Sequence, residues 1–286
     1  MPNTQEIENN PPKHLINNKK QNYFSFSKKT FPLKVNIPKE CNYYPMQFNV
    51  KDNYNDYIEN SLLSISRLRQ INPMNEIYKI KQILPEECLN YFSKRRSIHK
   101  QLILIDLDET LIHSDFYNNF TLHDTFIKFQ DEEENVPVKV NINIRPDVKT
   151  FLHKLSLYYD LAIFTSSIEE YAKAIMNKLD KKQQIFKFLL HRNHCLDYNG
   201  RFYVKDLRII EDFISLEKVI IIDNNIFSFC NQLENGILIH SFFNDKDDDD
   251  LHKVFCYLMQ LIYKVNNVQE INENMFRFKY ISEQFK

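Results

Sequence analysis

Four short apolar runs mark the chain beyond residue 100: LILI at 102–105, LAIF at 161–164, VIII at 219–222 and ILI at 237–239. Each is flanked by polar residues and rich in Leu or β-branched side chains, the pattern of strands buried on both faces. Between them the apolar spacing becomes helical. Residues 147–158 place Val148, Phe151, Leu152 and Leu155 on one face, and residues 168–179 do the same with Ile168, Tyr171, Ala172, Ile175, Met176 and Leu179. Strands alternating with helices predict an α/β fold: a Rossmann-like parallel sheet with right-handed crossovers and helices on both faces. Upstream, Ile58, Leu62, Ile65 and Leu68 give residues 56–70 helical spacing, and a second helical stretch follows Asn75 up to Pro85. The pattern thus divides the chain into an irregular leader over 1–55, a helical segment over 56–96 and an α/β body from about residue 100.

Composition narrows the function classes. With 37 Lys+Arg against 38 Asp+Glu the chain is not a globally basic nucleic-acid binder. The charge is polarised: residues 1–100 carry 16 basic and 9 acidic side chains, and the remainder 21 and 29. The basic leader suits either an acidic partner or a solvated tail. Glycine occurs only at Gly200 and Gly236, which excludes a P-loop, a dinucleotide fingerprint and a kinase glycine-rich loop. No apolar run approaches the ~20 residues of a membrane helix, and the N-terminus has no apolar signal core. Five scattered cysteines without a C-x-x-C pair predict neither a disulfide framework nor a zinc site. An intracellular setting, nuclear or cytoplasmic, is expected, and the short KKT and SKRR clusters suit nuclear entry.

Ligands of open α/β sheets bind beyond the carboxyl ends of the strands. Asp106-Leu107-Asp108-Glu109-Thr110 follows the first run, Thr165-Ser166-Ser167 the second and Asp223-Asn224-Asn225 the third. One rim therefore receives two carboxylates, a hydroxyl and an Asp-Asn pair. Strand-end capping is an alternative reading of Asp106 and Asp108. A carboxylate can also act as a nucleophile toward phosphorus, with a neighbour handling a proton. Oxygen donors without a His or Cys cluster point to Mg²⁺. Thr165 and Lys205 are candidate partners for phosphoryl oxygens.

Seven ordered blocks strengthen the phosphoryl reading. DLDETLIHS at 106–114 resembles the signature of haloacid-dehalogenase-like phosphatases, in the branch acting on the RNA polymerase II C-terminal tail (the small CTD phosphatase, NLI-interacting-factor-like group). NIRPDV at 143–148, YDLAIFTSSIEEYA at 159–172, HRNHC at 191–195, NGRFYVKDL at 199–207, VIIIDNN at 219–225 and SFFNDKDDDDL at 241–251 continue the resemblance in order. It covers about residues 97–276 and implies a phosphoric monoester hydrolase, a Mg²⁺-dependent protein serine/threonine phosphatase. Asp106 is then the nucleophile and Asp108 the general acid and base. Mg²⁺ is held by Asp106, the Asp108 carbonyl and Asn224, with Asp223 in support. Thr165 and Lys205 bind the phosphoryl group, and Arg192 and Phe116 contact the substrate. The implied partner is a phosphoserine or phosphothreonine protein such as the polymerase tail, with no direct nucleic-acid contact.

The resemblance also implies a β-hairpin flap over the site at 115–142, with Phe126, Ile127 and Phe129 packing beneath it or forming a pocket. Departures from the pattern are Asp147 for a glycine, Asn225 for a serine, Ile226 for a proline, and Phe242 or Phe243 for a tryptophan. His113 reads as a local hydrogen-bonding or packing residue, and Asp247 to Asp250 as a solvated helix start. Two other readings stay open: a catalytically silent protein-binding module on the same fold, and a small-molecule phosphatase.

Overall fold

The computed structural model describes residues 54–68, 73–95, 100–116, 122–132, 135–198, 202–264 and 267–284. The leader up to residue 53 and the Asn199-Gly200 turn lie outside them. Three helices come first: α1 (Tyr54–Leu68), α2 (Met74–Gln82) and α3 (Glu86–Lys94). The apolar runs then form β1 (Leu102–Ile105), β5 (Asp160–Phe164), β9 (Val219–Asp223) and β10 (Gly236–Leu238), joined at the sheet edge by β6 (Phe186–Leu190), while β7 (Leu196–Asp197) and β8 (Tyr203–Val204) form a separate antiparallel pair. The strand order is β10-β9-β1-β5-β6, all parallel. Every residue of β1, β5, β9 and β10 is buried, as their apolar runs require, and so are Asp160 and Asp223 at two of the strand ends.

Helices cover both faces. α4 (Val148–Ser156) packs against α6 (Asp250–Lys264), and the Tyr159 hydroxyl donates to the Leu258 carbonyl at 2.6 Å. On the other side the 3-10 segment Ile226–Asn235 gathers α1, α7 (Val268–Phe276) and α8 (Phe278–Glu283). That segment runs so close to β10 that a Cβ on Gly236 would stand 2.0 Å from the Phe229 ring, which explains one of the two glycines. The helical segment before the sheet is not separately packed. Ile58, Leu62, Ile65, Ile77, Ile80, Leu84 and Cys88 join the same buried cluster as the strands. Among the described residues no helix is long and apolar enough to cross a membrane.

Strand order fixes where a site can form. The chain moves outward from β1 to β5 and β6, then returns to build β9 and β10 on the other side. The crevice at this reversal lies between the carboxyl ends of β1 and β9. Above the rim stands a second, antiparallel sheet of β2 (Ile112–Asp115), β3 (Thr125–Asp131) and β4 (Val136–Ile144), in the order β2-β4-β3. β3 and β4 form the expected hairpin. Its inner face packs on α5 (Glu169–Leu179), where the Phe129 ring meets Tyr171 edge-on at 5.8 Å.

Candidate active site

Asp106 is the first residue past β1, and its amide donates to the Ile222 carbonyl at 3.0 Å, which extends the sheet by one rung. The carboxylate is thereby aimed along the strand axis into the crevice. Lys205 Nζ lies 2.5 Å from Asp106 Oδ1 and 2.6 Å from Asp223 Oδ2. The lysine is 1% exposed and its main-chain amide donates to the Ser228 carbonyl, so two sides hold it in place. Asp223 is fixed in turn by the Asn225 amide at 2.8 Å.

Asp108 sits across a tight turn in which Glu109 takes a left-handed φ of 59°. Strain of that kind in a non-glycine residue collects at functional sites. Ser167 Oγ donates to Asp108 Oδ2 at 2.7 Å, and the Tyr171 hydroxyl donates to Asp108 Oδ1 and also meets Ser114 Oγ. Burial and the adjacent Asp108 carboxylate raise the Tyr171 hydroxyl well above its ordinary range, so it remains a donor. A serine hydroxyl can donate or accept. Ser167 can therefore serve Asp108 in both protonation states.

The remaining sequence candidates converge on the same rim. Thr165 Oγ1 accepts from the Ser167 amide at 3.1 Å. Arg192 is tied to that loop through Nε to the Ser166 carbonyl at 2.9 Å and lies over the Tyr203 ring. The Phe116 ring is 6.1 Å from Tyr171. Asn224 donates through Nδ2 to Ser241 Oγ at 3.0 Å, which orients Oδ1 toward Thr110 Oγ1.

The charge balance of this crevice is unusual. Two carboxylates, Asp106 and Asp223, flank one buried cation, and a third, Asp108, acts on Asp106 from across the turn. Burial pushes the Asp106 carboxyl up to about 8; the Lys205 cation opposes this, and Asp223 and Asp108 reinforce it. Burial would lower Lys205, but its two carboxylate partners prevail and hold it above its usual value. A site this negative and this dry favours an added cation or proton. The nearby donors are all oxygen: the Asp106 carboxylate, the Asp108 carbonyl and Asn224 Oδ1. Among the described residues no three His, Cys, Asp or Glu side chains are grouped as a ligand set. The oxygen set here, one carboxylate with two neutral oxygens, fits a hard cation that retains several waters.

Three partnerships were invisible in the sequence. Tyr171 reads there as a core residue of a helix face; the one signal was that a buried tyrosine hydroxyl needs a partner. Ser167 stands on the predicted rim but its partner is not legible, and Ser114 gave no signal of its own. The acidic run starts a helix as expected, with Asp247 and Asp249 exposed, but Asp248 and Asp250 turn inward. Arg145, fully buried, donates Nε to Asp248 Oδ1 at 2.7 Å and Nη2 to Asp248 Oδ2 at 2.8 Å. It also reaches Asp250 at 3.3 Å and the Thr110 carbonyl at 3.0 Å. Asp250 is buried because it serves this arginine and His240. At the glycine departure, Asp147 adopts a left-handed φ of 61°, a conformation that a glycine takes without penalty. Asn225 Oδ1 caps the Phe227 amide at 3.1 Å, Ile226 is buried, and Phe242 is the buried member of its pair.

His191 and His194 form a buried pair on the far side of Arg192, with the His191 amide donating to His194 Nδ1 at 3.1 Å. Burial and then the neighbouring His194 lower His191 to about 4, against the pull of Glu169; burial also lowers His194. The folded state therefore binds fewer protons than the unfolded chain between the ordinary histidine value and about pH 4. Stability contributed by these neutral rings is complete above ~6.5 and is lost as pH falls through that window. Urea titrations between pH 7 and pH 4 should show His191→Asn with a shallower acid loss than the wild type. An unchanged pH slope in that variant would show that the ring is not a source of the loss.

A family model described as NLI interacting factor-like phosphatase matches residues 101–269. CTD small phosphatase-like protein 3 of Caenorhabditis elegans is 30% identical over 236 residues, 78% of this chain and 78% of the relative. CTD nuclear envelope phosphatase 1B of Danio rerio is 30% identical over 194 residues, 65% of this chain and 77% of the relative. CTD small phosphatase-like protein 2 of Dictyostelium discoideum is 35% identical over 182 residues, which is only 30% of its length. The solved structure of Fcp1, an essential RNA polymerase II CTD phosphatase, has a TM-score of 0.45 at 16% identity and covers 68% of this chain and 67% of its own. The chain belongs to the NLI interacting factor-like phosphatase family and is a phosphoric monoester hydrolase.

Proposed function

We propose that this chain is a Mg²⁺-dependent protein serine/threonine phosphatase that works through an aspartyl-phosphate at Asp106. The observation that carries the reading is the Asp106–Lys205–Asp223 chain at the reversal point of the sheet, with Asp108 one turn away. An Asp106 carboxylate oxygen attacks phosphorus, and the bond between phosphorus and the serine or threonine oxygen breaks. Asp108 gives its proton to the departing oxygen. The resulting Asp108 carboxylate then takes a proton from water, whose oxygen attacks phosphorus and releases phosphate, restoring Asp106. One residue can serve in both proton roles because the first step leaves it in the state the second requires, and Ser167 and Tyr171 keep that carboxyl oriented. Mg²⁺ held by Asp106, the Asp108 carbonyl and Asn224, with Asp223 in support, would neutralise charge on the phosphoryl oxygens. Lys205 and Thr165 would contact the same oxygens, and Arg192 and Phe116 the substrate chain.

Relatives named as CTD and nuclear envelope phosphatases favour phosphoproteins, the polymerase tail among them, and a nuclear setting for this chain. The test is hydrolysis of p-nitrophenyl phosphate and of a phosphoserine peptide, with Mg²⁺ and with chelator. Turnover that requires the metal, with a higher kcat/KM on the peptide, is expected. Folded protein with no turnover would favour a silent binding module. A preference for small esters would favour a small-molecule phosphatase.

A further inference from the structure

The outer face of the β3–β4 hairpin takes no part in the chemistry, yet its side chains are arranged against the stability of the sheet. Lys128 on β3 stands directly opposite Lys139 on β4 in the strand register. Like charges facing each other across antiparallel strands are destabilising. The exposed Phe126 ring lies beside them, 4.7 Å from Lys139 Nζ and 5.8 Å from Lys128 Nζ. A third lysine, Lys178 at the end of α5, has its Nζ 6.0 Å from the same ring and donates to the Phe126 carbonyl at 3.4 Å. Among the described residues no carboxylate forms an ion pair with any of the three, although other lysines nearby find partners, such as Lys173 with Glu169 and Lys246 with Asp124. Three cations around one half-exposed ring, two of them in mutual repulsion, leave a surface that a negative ligand would stabilise. Local rules broken in this way cluster at functional surfaces.

We propose that this lysine-ringed face is an exosite for an acidic stretch of the phosphoprotein substrate, separate from the phosphorylated residue itself. The proposal rests on the protein-phosphatase reading and deepens it. Its position ties it to the site. Phe129, on the inner face of the hairpin, packs on Tyr171, whose hydroxyl donates to Asp108. Lys178 lies seven residues beyond Tyr171 on α5, ~10 Å along the axis. An extended peptide covers that distance in roughly three to five residues. A substrate segment with Asp, Glu or further phosphates at that separation would meet the lysines while its phosphoserine lies at Asp106. An anionic lipid surface offers the same charge. The apolar part of this face is one ring partly screened by lysines, and the hairpin borders a site that acts on a chain, so the peptide is the better match.

Two phosphoserine peptides of equal length distinguish the sources. One carries three glutamates about three to five residues from the phosphoserine, placed on either side in separate versions, and the other carries glutamines there. For the full chain, the glutamate peptide in the productive direction should show a KM about tenfold lower than the glutamine peptide, from exposed ion pairs of ordinary strength. Rising salt should erase the difference. Lys128→Gln/Lys139→Gln, and independently Lys178→Gln, should bring the two peptides toward parity with kcat and p-nitrophenyl phosphate turnover unchanged. Equal KM values in the wild type, or a preference that survives both variants, would overturn the exosite. Lysine-dependent binding to phosphatidylserine vesicles, with equal peptide KM values, would reassign the face to a membrane. Loss of aryl phosphate turnover in the wild type would count against the catalytic reading alone. Fluorescence anisotropy of the labelled glutamate peptide would then still report on the exosite.

Discussion

Asp106→Asn is expected to abolish phosphatase turnover while leaving the fold intact, with kcat/KM falling by about 10³-fold or more because an amide cannot replace the attacking carboxylate. The two halves of this expectation have one origin. Asp106 is buried beside Asp223 and Asp108, and that crowding raises its carboxyl to about 8. A carboxylate whose folded pKa lies above its unfolded value costs stability wherever the unfolded chain is ionised, which includes neutral pH. The amide has the same shape and no charge, and Lys205 keeps Asp223 at 2.6 Å. The variant should therefore melt at or above the wild-type Tm, as expected where a site trades stability for reactivity. Two measurements on one preparation decide it: thermal melting, and hydrolysis of p-nitrophenyl phosphate with Mg²⁺. A folded variant with near-normal rate would remove Asp106 from the nucleophile's role. A variant that is inactive with a much lower Tm would show instead that the carboxylate supports the fold.

Which parts of this site are legible in the sequence depends on which groups are local. The parallel strands show as apolar runs because burial on both faces leaves no polar positions. The residues just past each run must then lie on one rim, so Asp106, Asp108, Thr165 and Asp223 are legible together. β6 does not stand out as a strand, since FKFLL includes an exposed lysine and lies at the sheet edge. The partners of Asp108, Ser167 and Tyr171, and the Ser114 that meets Tyr171, are of another kind. Ser114, Ser167 and Tyr171 come from β2, the loop after β5 and α5, and no short-range pattern couples a tyrosine on a helix face to a carboxylate 63 residues away. Helices α1 to α3 are amphipathic in sequence, but periodicity alone does not say what covers the apolar face. Here it is the same core as the sheet.

The acidic run at 247–250 shows the same limit in its strongest form, because four consecutive aspartates resemble a solvated helix start until Arg145 is placed 103 residues upstream. The buried guanidinium joins the end of β4 to the acidic loop and, through the Thr110 carbonyl, to the turn carrying Asp108. Arg145→Met should leave that carbonyl without this donor, Asp248 without its cation and Asp250 without one of its cationic partners. Breaking a buried pair in this way costs about 3–5 kcal/mol, a fall in Tm of roughly 10 °C for a domain of this size. Arg145→Lys should recover only part, since a point charge cannot serve three acceptors in fixed directions. Asp250 gives the pH dependence. Burial would raise its carboxyl, but His240, Lys253 and Arg145 together hold it below the ordinary range. The stabilisation is then present above the unfolded value of ~3.9 and disappears as pH falls below it. A double-mutant cycle separates the Arg145–Asp248 pair from general damage: Asp248→Asn alone should destabilise, and adding it to Arg145→Met should cost little more. Additive losses in that cycle, or an Arg145→Met Tm close to wild type, would mean that the Asp108 turn is held by its own backbone, chiefly the Glu109 amide bonded to the Ile112 carbonyl at 2.7 Å.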